Sequence, residues 1–173
     1  MNQPYLLARQ PIAIPALSPR SRPYAPQLKP GDPAVRAMSD FLQDPPHTVA
    51  ADTGLEEVID CMFRLGLRVF LVVHDRSVIG LITAEDAGDA RRARQRSDGT
   101  GCELRAADAM TASLDVPAID WQTLQDSRIS DLIEIFEGTG VKYLVVLQTE
   151  SASSSTVRGL IHRQRLERQL RRE

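Results

Sequence analysis

Apolar residues along this chain form two kinds of pattern. One is a helical spacing of three and four residues, which gives a helix a single apolar face that must be covered. The other is a short continuous run of β-branched and aromatic residues, which is typical of a strand buried on both faces. The helical pattern comprises Leu55, Val58, Ile59, Met62 and Leu65, and the first continuous run is Val69 to Val73.

Residues at the ends of the helical pattern predict its boundaries. Thr53 and Glu56 are spaced as a capping box, in which each side chain would bond the backbone N–H of the other. Gly66 follows the last apolar position and supplies a left-handed stop. We therefore expect a helix from Leu55 to Leu65.

Turn residues divide the next segment into two strands and a helix. Asp75 to Ser77 predicts a turn into a second, antiparallel strand from Val78 to Thr83. Thr83 to Asp86 then opens a helix that runs into an arginine cluster, Arg91 to Arg96. A short strand near Thr48-Val49 is expected before the first helix. The predicted order is thus strand, helix, strand, strand, helix.

The second half of the chain repeats this order. Ala-Met-Ser at 37–39 recurs as Ala-Met-Thr at 109–111, an offset of 72 residues. The strand run recurs at an offset of 73, and Gly159 follows Gly80 by 79 residues. A near-constant offset that rises only across a Ser/Thr-rich stretch predicts an internal duplication with one lengthened hairpin loop.

The duplication sets the expected domain organisation. One copy of about 50 residues makes too small a core to bury its sheet and two helices, whereas two copies packed together can. We expect an α/β (α+β) fold of two tandem repeats, related by a pseudo-two-fold axis, each a small sheet backed by two helices. The expected segments are a proline-rich arm at 1–32, repeat one at 33–94, a linker at 95–105 and repeat two at 106–173.

Eight of the 11 prolines fall between Pro4 and Pro33. Proline fixes φ and removes a hydrogen-bond donor, so this segment is predicted to be extended. Its aliphatic and aromatic content favours an ordered strap over the folded body or a partner subunit, with a solvated leader as the alternative.

Composition narrows the possible functions. The 173 residues are 42% hydrophobic and 25% charged with a formal charge of −2, so overall charge recruits neither nucleic acid nor membrane. Cys61 and Cys102 lack a CxxC spacing or a nearby His, which argues against a zinc site and indicates a reducing cytoplasm. We find no signal-peptide pattern and no apolar run near the roughly 20 residues of a membrane helix. No metal site is expected.

Catalytic patterns are also missing from the sequence. His47, His74 and His162 do not pair in sequence with a nucleophile. The chain has no GxSxG, no HExxH and no Gly-rich phosphate loop with Lys. The sequence therefore predicts a protein that is not an enzyme.

With these motifs, residues 33–173 resemble a tandem pair of cystathionine-β-synthase (CBS) domains, known as a Bateman module. The resemblance rests on Asp108 to Thr111, on strand runs ending at Val73 and Val146, and on Gly80 to Asp86. In this family Gly, two apolar residues, Thr or Ser, two variable residues and Asp form an adenosine-nucleotide site. The resemblance implies AMP, ADP, ATP or S-adenosylmethionine as a regulatory ligand, no required cofactor, and a homodimer joined through helix faces.

The positions of Thr83 and Asp86 fit such a site. Thr83 ends a predicted strand and Asp86 lies in the first turn of the next helix, where backbone N–H groups attract phosphate. The Thr83 hydroxyl can bond a phosphate, Asp86 can accept from both ribose hydroxyls, and Arg68 could neutralise phosphate charge. Residues expected to enclose the adenine are Thr48, Val49, Val69, Phe70 and Ile82.

A simpler interpretation of Thr83 and Asp86 requires no ligand. Their spacing is also that of a capping box, in which both side chains satisfy only the helix's own N–H groups. The sequence leaves both interpretations open.

The second copy departs from the motif. His162 stands where Thr83 stands and Arg165 where Asp86 stands, so the ribose-binding carboxylate is missing. Together with Tyr143, these residues define a possible second anion site. The alternative is a solvated basic helix.

The predicted function is a regulatory module that binds an adenosine-type ligand between the repeats and acts on an unknown protein partner or on self-assembly. The alternative is a ligand-free scaffold that uses the proline arm and the arginine-rich helices. Nucleic-acid binding by the clusters at 91–96 and 163–172 is less favoured, because aromatic stacking partners are absent around both.

Overall fold

The computed structural model describes residues 27–96, 103–113, 115–151 and 154–170. The strands in these ranges are β1 (Met38–Asp40), β2 (Thr48–Ala50), β3 (Val69–His74), β4 (Ser77–Thr83), β5 (Thr111–Ala112), β6 (Ala118–Asp120), β7 (Tyr143–Ser151) and β8 (Ser154–His162). The helices are α1 (Leu55–Leu65), α2 (Ala84–Arg96), α3 (Ala106–Ala109), α4 (Trp121–Asp126), α5 (Ile129–Thr139) and α6 (Arg163–Leu170), and a 3-10 turn spans Ala34–Ala37.

The strands form two four-stranded sheets of the same design. One sheet has the order β2-β3-β4-β5 and the other the order β6-β7-β8-β1, so equivalent strands of the two repeats occupy equivalent positions. In each sheet the first pair is parallel and the other two are antiparallel. This arrangement confirms the predicted α/β fold of two tandem repeats.

The two compact units do not coincide with the two sequence repeats. A central unit contains residues 46–116, and a terminal unit contains the described residues up to Pro45 together with those from Pro117 onward. The first strand of each repeat has been exchanged, because β1 pairs with β8 of the second repeat and β5 pairs with β4 of the first. By sequence periodicity, in contrast, β1 belongs to the first repeat and β5 to the second.

Two glycines allow the exchanged strands to approach closely. A Cβ at Gly80 would lie 2.5 Å from the Thr111 carbonyl oxygen and 2.6 Å from Met110 Sδ. A Cβ at Gly159 would meet Met38 Sδ at an equally short 2.6 Å. Any side chain larger than hydrogen would displace the neighbouring strand, so the repeated Gly and Ala-Met motifs have a common packing cause.

In the central unit, α1 and α2 pack on one face of the sheet. Their apolar positions meet strand residues in a single core, which includes Leu55, Val58, Met62, Phe70, Val72, Ile82 and Ala87. Gly66 ends α1 at φ 62°, as predicted from its position. Asp75 and Arg76 both have positive φ and make the tight turn between β3 and β4.

The expected capping box at the start of α1 is wrong. Gly54 is the N-cap, and no side chain caps the helix. Leu55 instead donates its backbone N–H to the carbonyl of Leu104, in the segment that leads into α3. Glu56 faces Arg91 of α2. Tertiary pairing has thus replaced the local cap.

In the terminal unit, the core includes residues that precede β1. Leu28 is almost fully buried and donates its backbone N–H to the carbonyl of Gln169 at the end of α6. Its side chain joins Leu132, Phe136 and Ile161 in one apolar cluster. Residues 1–26 of the predicted arm lie outside the described residues, so the strap stays a prediction.

Two features lengthen the second repeat. The strands β7 and β8 have nine residues each, against six and seven for β3 and β4, which accounts for the larger offset at Gly159. The short helix α4, capped by the Asp120 side chain accepting from the Gln122 backbone N–H, has no counterpart between β2 and α1. The hairpin was predicted, whereas the helix was not.

Candidate functional site

The candidate site is built where β4 runs into α2. Thr83 is the last residue of β4, and Asp86 is the third residue of α2. Thr83 donates from its backbone N–H and from its hydroxyl to Asp86 Oδ2, at 3.1 and 2.7 Å. Asp86 donates its backbone N–H to Thr83 Oγ1 at 3.1 Å. The pair is therefore a reciprocal capping box, as the simpler interpretation of the sequence requires.

The capping box uses only part of the Asp86 carboxylate. Both bonds from Thr83 end on Oδ2, and among the described residues none reaches Oδ1. A carboxylate has about four lone-pair positions, so Asp86 retains acceptor capacity while it caps α2. Capping and ligand binding are thus compatible at this residue.

Several hydrogen-bond donors at the start of α2, in contrast, already have acceptors within the protein. Ala84 donates its backbone N–H to the carbonyl of Arg68 at 2.9 Å, which joins the start of β3 to the start of α2. The Asp86 N–H and the Thr83 hydroxyl are engaged with each other. The expected phosphate contact from Thr83 would therefore require its hydroxyl to rotate away from Asp86.

Strand pairing divides the expected adenine walls between two sheet faces. Val69 lies opposite Thr83, and Phe70 lies opposite Ile82. Phe70 and Ile82 are enclosed in the core beneath α1 and α2. Because side chains alternate along a strand, Val69 and Thr83 share the other face, and both are half-buried.

The remaining expected residues are Thr48 and Val49 on β2 and Arg68 just before β3. Thr48 and Val49 are half-buried on β2, the parallel neighbour of β3. Val49 packs against the core of the central unit. Arg68 is exposed, and within the described ranges its guanidinium has no hydrogen-bond or ion-pair partner. The backbone carbonyl of the same residue accepts from the Ala84 N–H at the start of α2.

The equivalent residues of the second repeat make different contacts. His162 Nδ1 accepts from the Arg165 backbone N–H at 3.4 Å, so the imidazole stands in for the Thr83 hydroxyl as a cap. The rings of His162 and Tyr143 meet edge to face with centroids 4.6 Å apart. Arg165 Nη1 donates to Ser39 Oγ of β1 at 2.7 Å. The three residues of the expected anion site thus contact each other and the exchanged strand.

Sequence reasoning did not find a second polar cluster in the terminal unit. Arg158 donates to Asp40 Oδ2 at 3.0 Å and to Gln148 Oε1 at 3.3 Å, and its guanidinium lies 4.7 Å from the Trp121 ring centroid. Both members of the Arg158–Asp40 pair are mostly buried. The pair fixes β1 to β8, and only the strand exchange brings residues so distant in sequence together.

Several arginines of the two clusters have acidic partners. Arg91 pairs with Glu56, Arg92 with Asp89, and Arg163 with Glu167. Arg163 also donates to the Phe136 carbonyl. Such pairs lower the net positive potential that a phosphate backbone would meet.

The described residues were also searched for metal ligands, free thiols and membrane-spanning helices. No cluster of three or more His, Cys, Asp or Glu side chains that could hold a metal ion occurs there. Cys61 is a free, half-buried thiol on α1, and Cys102 lies outside the described residues. In the same ranges, no helix is long and apolar enough to cross a membrane.

Comparisons with known proteins agree with this geometry. The family model described as CBS domain matches residues 38–90. The chain is 36% identical over 63 residues to the H(+)/Cl(-) exchange transporter 5 of Homo sapiens, a match that covers 36% of this chain and 8% of the transporter.

Solved structures share the fold over about three quarters of this chain or more. CBSX2, solved in complex with AMP, has a TM-score of 0.55 at 15% identity, with 80% of this chain and 95% of that chain covered. A CBS-domain containing protein from Agrobacterium tumefaciens has a TM-score of 0.53 at 19% identity, with coverage of 75% and 88%. The chain thus contains a match to the CBS domain at residues 38–90 and has the fold of CBS-domain pair proteins.

Proposed function

We propose that this protein is a regulatory module that binds an adenosine-type ligand at the junction of β4 and α2. The observation that carries the proposal is the free acceptor capacity of Asp86 Oδ1, beside a half-buried face formed by Val69 and Thr83. A ribose diol donates two hydrogen bonds, and a carboxylate is the acceptor best matched to receive them. The AMP bound to CBSX2, which has a similar fold, supports adenosine as the nucleoside.

This geometry supports the following roles for individual residues. Asp86 would accept from the ribose, Val69 and Thr48 would contact the base, and Arg68 would approach the 5′ substituent. Val49 packs against the core and pairs with Val72, so the expectation that it lines the base is not kept. Phe70 and Ile82 would support the base through the sheet from the core side, because both are enclosed there. Binding would regulate a partner or self-assembly only if two states of the module differ in ligand affinity.

A variant that retains the cap but changes the free oxygen tests the proposal. In Asp86→Asn, the amide oxygen can still accept from the Thr83 N–H and hydroxyl, whereas the position of Oδ1 becomes an NH₂ donor. We expect wild-type protein to gain thermal stability with adenosine or AMP and the variant to lose that gain. Asp131→Asn is the matched control, since Asp131 caps α5 through the Arg128 N–H at 2.7 Å.

The scaffold alternative has one observation in its favour. The Thr83–Asp86 pair is a complete capping box without any ligand, so the motif is explained by helix stability alone. If no adenosyl compound stabilises the wild-type chain at millimolar concentration, this alternative is preferred. A scaffold would then use the arm and the arginine-rich helices to bind its partner.

The remaining parts of the proposal concern assembly and location. We propose a homodimer joined through helix faces, in which the exposed Phe63 and Leu65 of α1 become buried. A cytoplasmic location fits the free Cys61 thiol, because reducing compartments keep such thiols unpaired.

A further inference from the structure

We propose that the ion pair of Arg158 and Asp40 determines which of the two exchanged strands joins which sheet. Arg158, on β8, selects β1 because β1 carries Asp40, and it disfavours β5, which carries Ala112 at the equivalent position. This inference is independent of ligand binding and concerns how the chain distinguishes its two repeats during folding.

The backbones of the two exchanged strands make the same contacts. Asp40 pairs with Gly159 in one sheet, as Ala112 pairs with Gly80 in the other. The residue that follows Asp40 or Ala112 donates its backbone N–H to the carbonyl of the residue before that glycine, at 2.9 Å in both sheets. The close contact between Met and Gly is also common to both sheets. Backbone bonding and glycine packing therefore do not distinguish β1 from β5, and side chains must do so.

The side chains differ at the residue before each glycine. In the terminal unit this residue is Arg158, whereas in the central unit it is Ile79, which packs against the apolar core. Asp40 is the one carboxylate that pairs with Arg158 within the described ranges, and their side chains are only 15% and 17% exposed. Arg158 Nε is buried, and no described residue accepts from it. Water can therefore replace little of what Asp40 provides to this guanidinium.

A wrong assignment would be costly mainly at β8. With β5 in place of β1, Arg158 would lie beside Ala112 and stay buried without an anion. Its bond to Gln148 at 3.3 Å and its position over the Trp121 ring supply no full negative charge. In the central unit Ala112 is exposed and Ile79 requires no anion, so β4 accepts β5. One ion pair at one sheet edge thus specifies both pairings, because β1 placed on β8 leaves β5 for β4.

Disulfide trapping during refolding of the full chain tests this assignment. The native thiols are first removed by Cys61→Ala and Cys102→Ser. Ser39→Cys with Leu160→Cys then reports β1 on β8, since Ser39 and Leu160 are paired. Thr111→Cys with Leu160→Cys reports β5 on β8, because Thr111 is the β5 equivalent of Ser39. Each chain is unfolded in urea and refolded under a mild thiol oxidant, and peptide mapping measures the linked fraction within one chain or between two copies.

Transfer of the carboxylate should transfer the strand. With Asp40 in place, we expect the first reporter to be linked and the second to stay almost unlinked. In Asp40→Ala with Ala112→Asp, the ratio of the second linked form to the first should rise at least about tenfold, because Arg158 then finds its carboxylate on β5. Asp40→Asn keeps the side-chain shape and is the milder variant. It should raise the same ratio by a smaller factor, and it decides the question if the double variant does not fold.

A control separates strand selection from a general loss of stability. Asp131→Ala removes the cap of α5 in the same unit, where the carboxylate bonds Arg128 and Ser130 outside β1 and β8. It should lower stability and leave the second reporter unlinked. An unchanged ratio after carboxylate transfer, or an equal rise in Asp131→Ala, would overturn the inference. Adenosyl binding is not needed for any of these results, so failure of the proposed function would leave the inference standing.

Discussion

The Met38 sulfur lies against the backbone of Gly159, so close that a Cβ at residue 159 would come within 2.6 Å of it. Met110 and Gly80 repeat this relationship in the central unit. The contact holds the exchanged strand in each sheet. It explains in physical terms why Gly and Ala-Met recur together along the chain.

Gly159→Ala should lower the free energy of unfolding by about 1–3 kcal/mol, the usual cost of inserting a methyl group into packed structure. The added carbon would also contact the Ser39 carbonyl oxygen, which cannot move without shifting β1. Gly138→Ala is the control, since a Cβ there meets nothing within 4 Å and Ala favours a helix. Urea unfolding measures both, and equal stability of the two variants would contradict the packing account.

The strand exchange leads to an expectation for fragments. A peptide of residues 46–116 contains β2 to β5 and completes the sheet of the central unit. A peptide of residues 33–94 lacks β5 and leaves the edge of β4 at Gly80 uncovered. Circular dichroism should show cooperative thermal unfolding for the first peptide and a weaker transition for the second. A more stable 33–94 peptide would show that the sequence repeat, rather than the compact unit, is the folding unit.

The buried pair of Arg158 and Asp40 should be costly to break from one side. Arg158→Met leaves the Asp40 carboxylate mostly buried without its cation, and should cost about 2 kcal/mol of unfolding free energy. Adding Asp40→Asn removes the uncompensated charge and should recover about half of the loss. A double-mutant cycle measures this coupling, and additive effects would indicate that the two side chains do not interact energetically.

Local patterns in the sequence predicted most of the elements and the site motif. The helical period of α1, the stop at Gly66 and the turn after His74 are confirmed, because each depends on neighbouring residues. The capping box at Thr53 failed because the Leu104 carbonyl, about 50 residues away in sequence, takes the N–H that begins α1.

Long-range features of the site could not be predicted in the same way. Phe70 and Ile82 are apolar strand residues like Val69, and only the strand register shows that they face the core. The exchange of β1 and β5 cannot be predicted from the sequence repeat, because the repeat has the same period whichever sheet its first strand joins. The bond from Arg165 to Ser39 depends on that exchange.

The proposed homodimer gives an expectation for a surface variant. Phe63 on α1 is 86% exposed, which is unusual for so large an apolar side chain. Phe63→Glu should shift the mass measured by light scattering from dimer to monomer without changing the circular dichroism spectrum. Leu42→Glu is the control, because Leu42 is also exposed but lies outside the helices. A wild-type monomer, or a Phe63→Glu dimer of unchanged affinity, would contradict the proposed interface.

The most direct test of the adenosyl site is calorimetric titration of adenosine into wild-type protein and Asp86→Asn at equal stability. We expect saturable binding to the wild-type chain and a loss of at least about tenfold in the variant, since a charge-assisted hydrogen bond contributes about 1.5–3 kcal/mol. The capping bonds of Thr83 persist in both proteins, so helix stability cannot produce the difference. Equal binding by the two proteins, or none by either, would contradict the account.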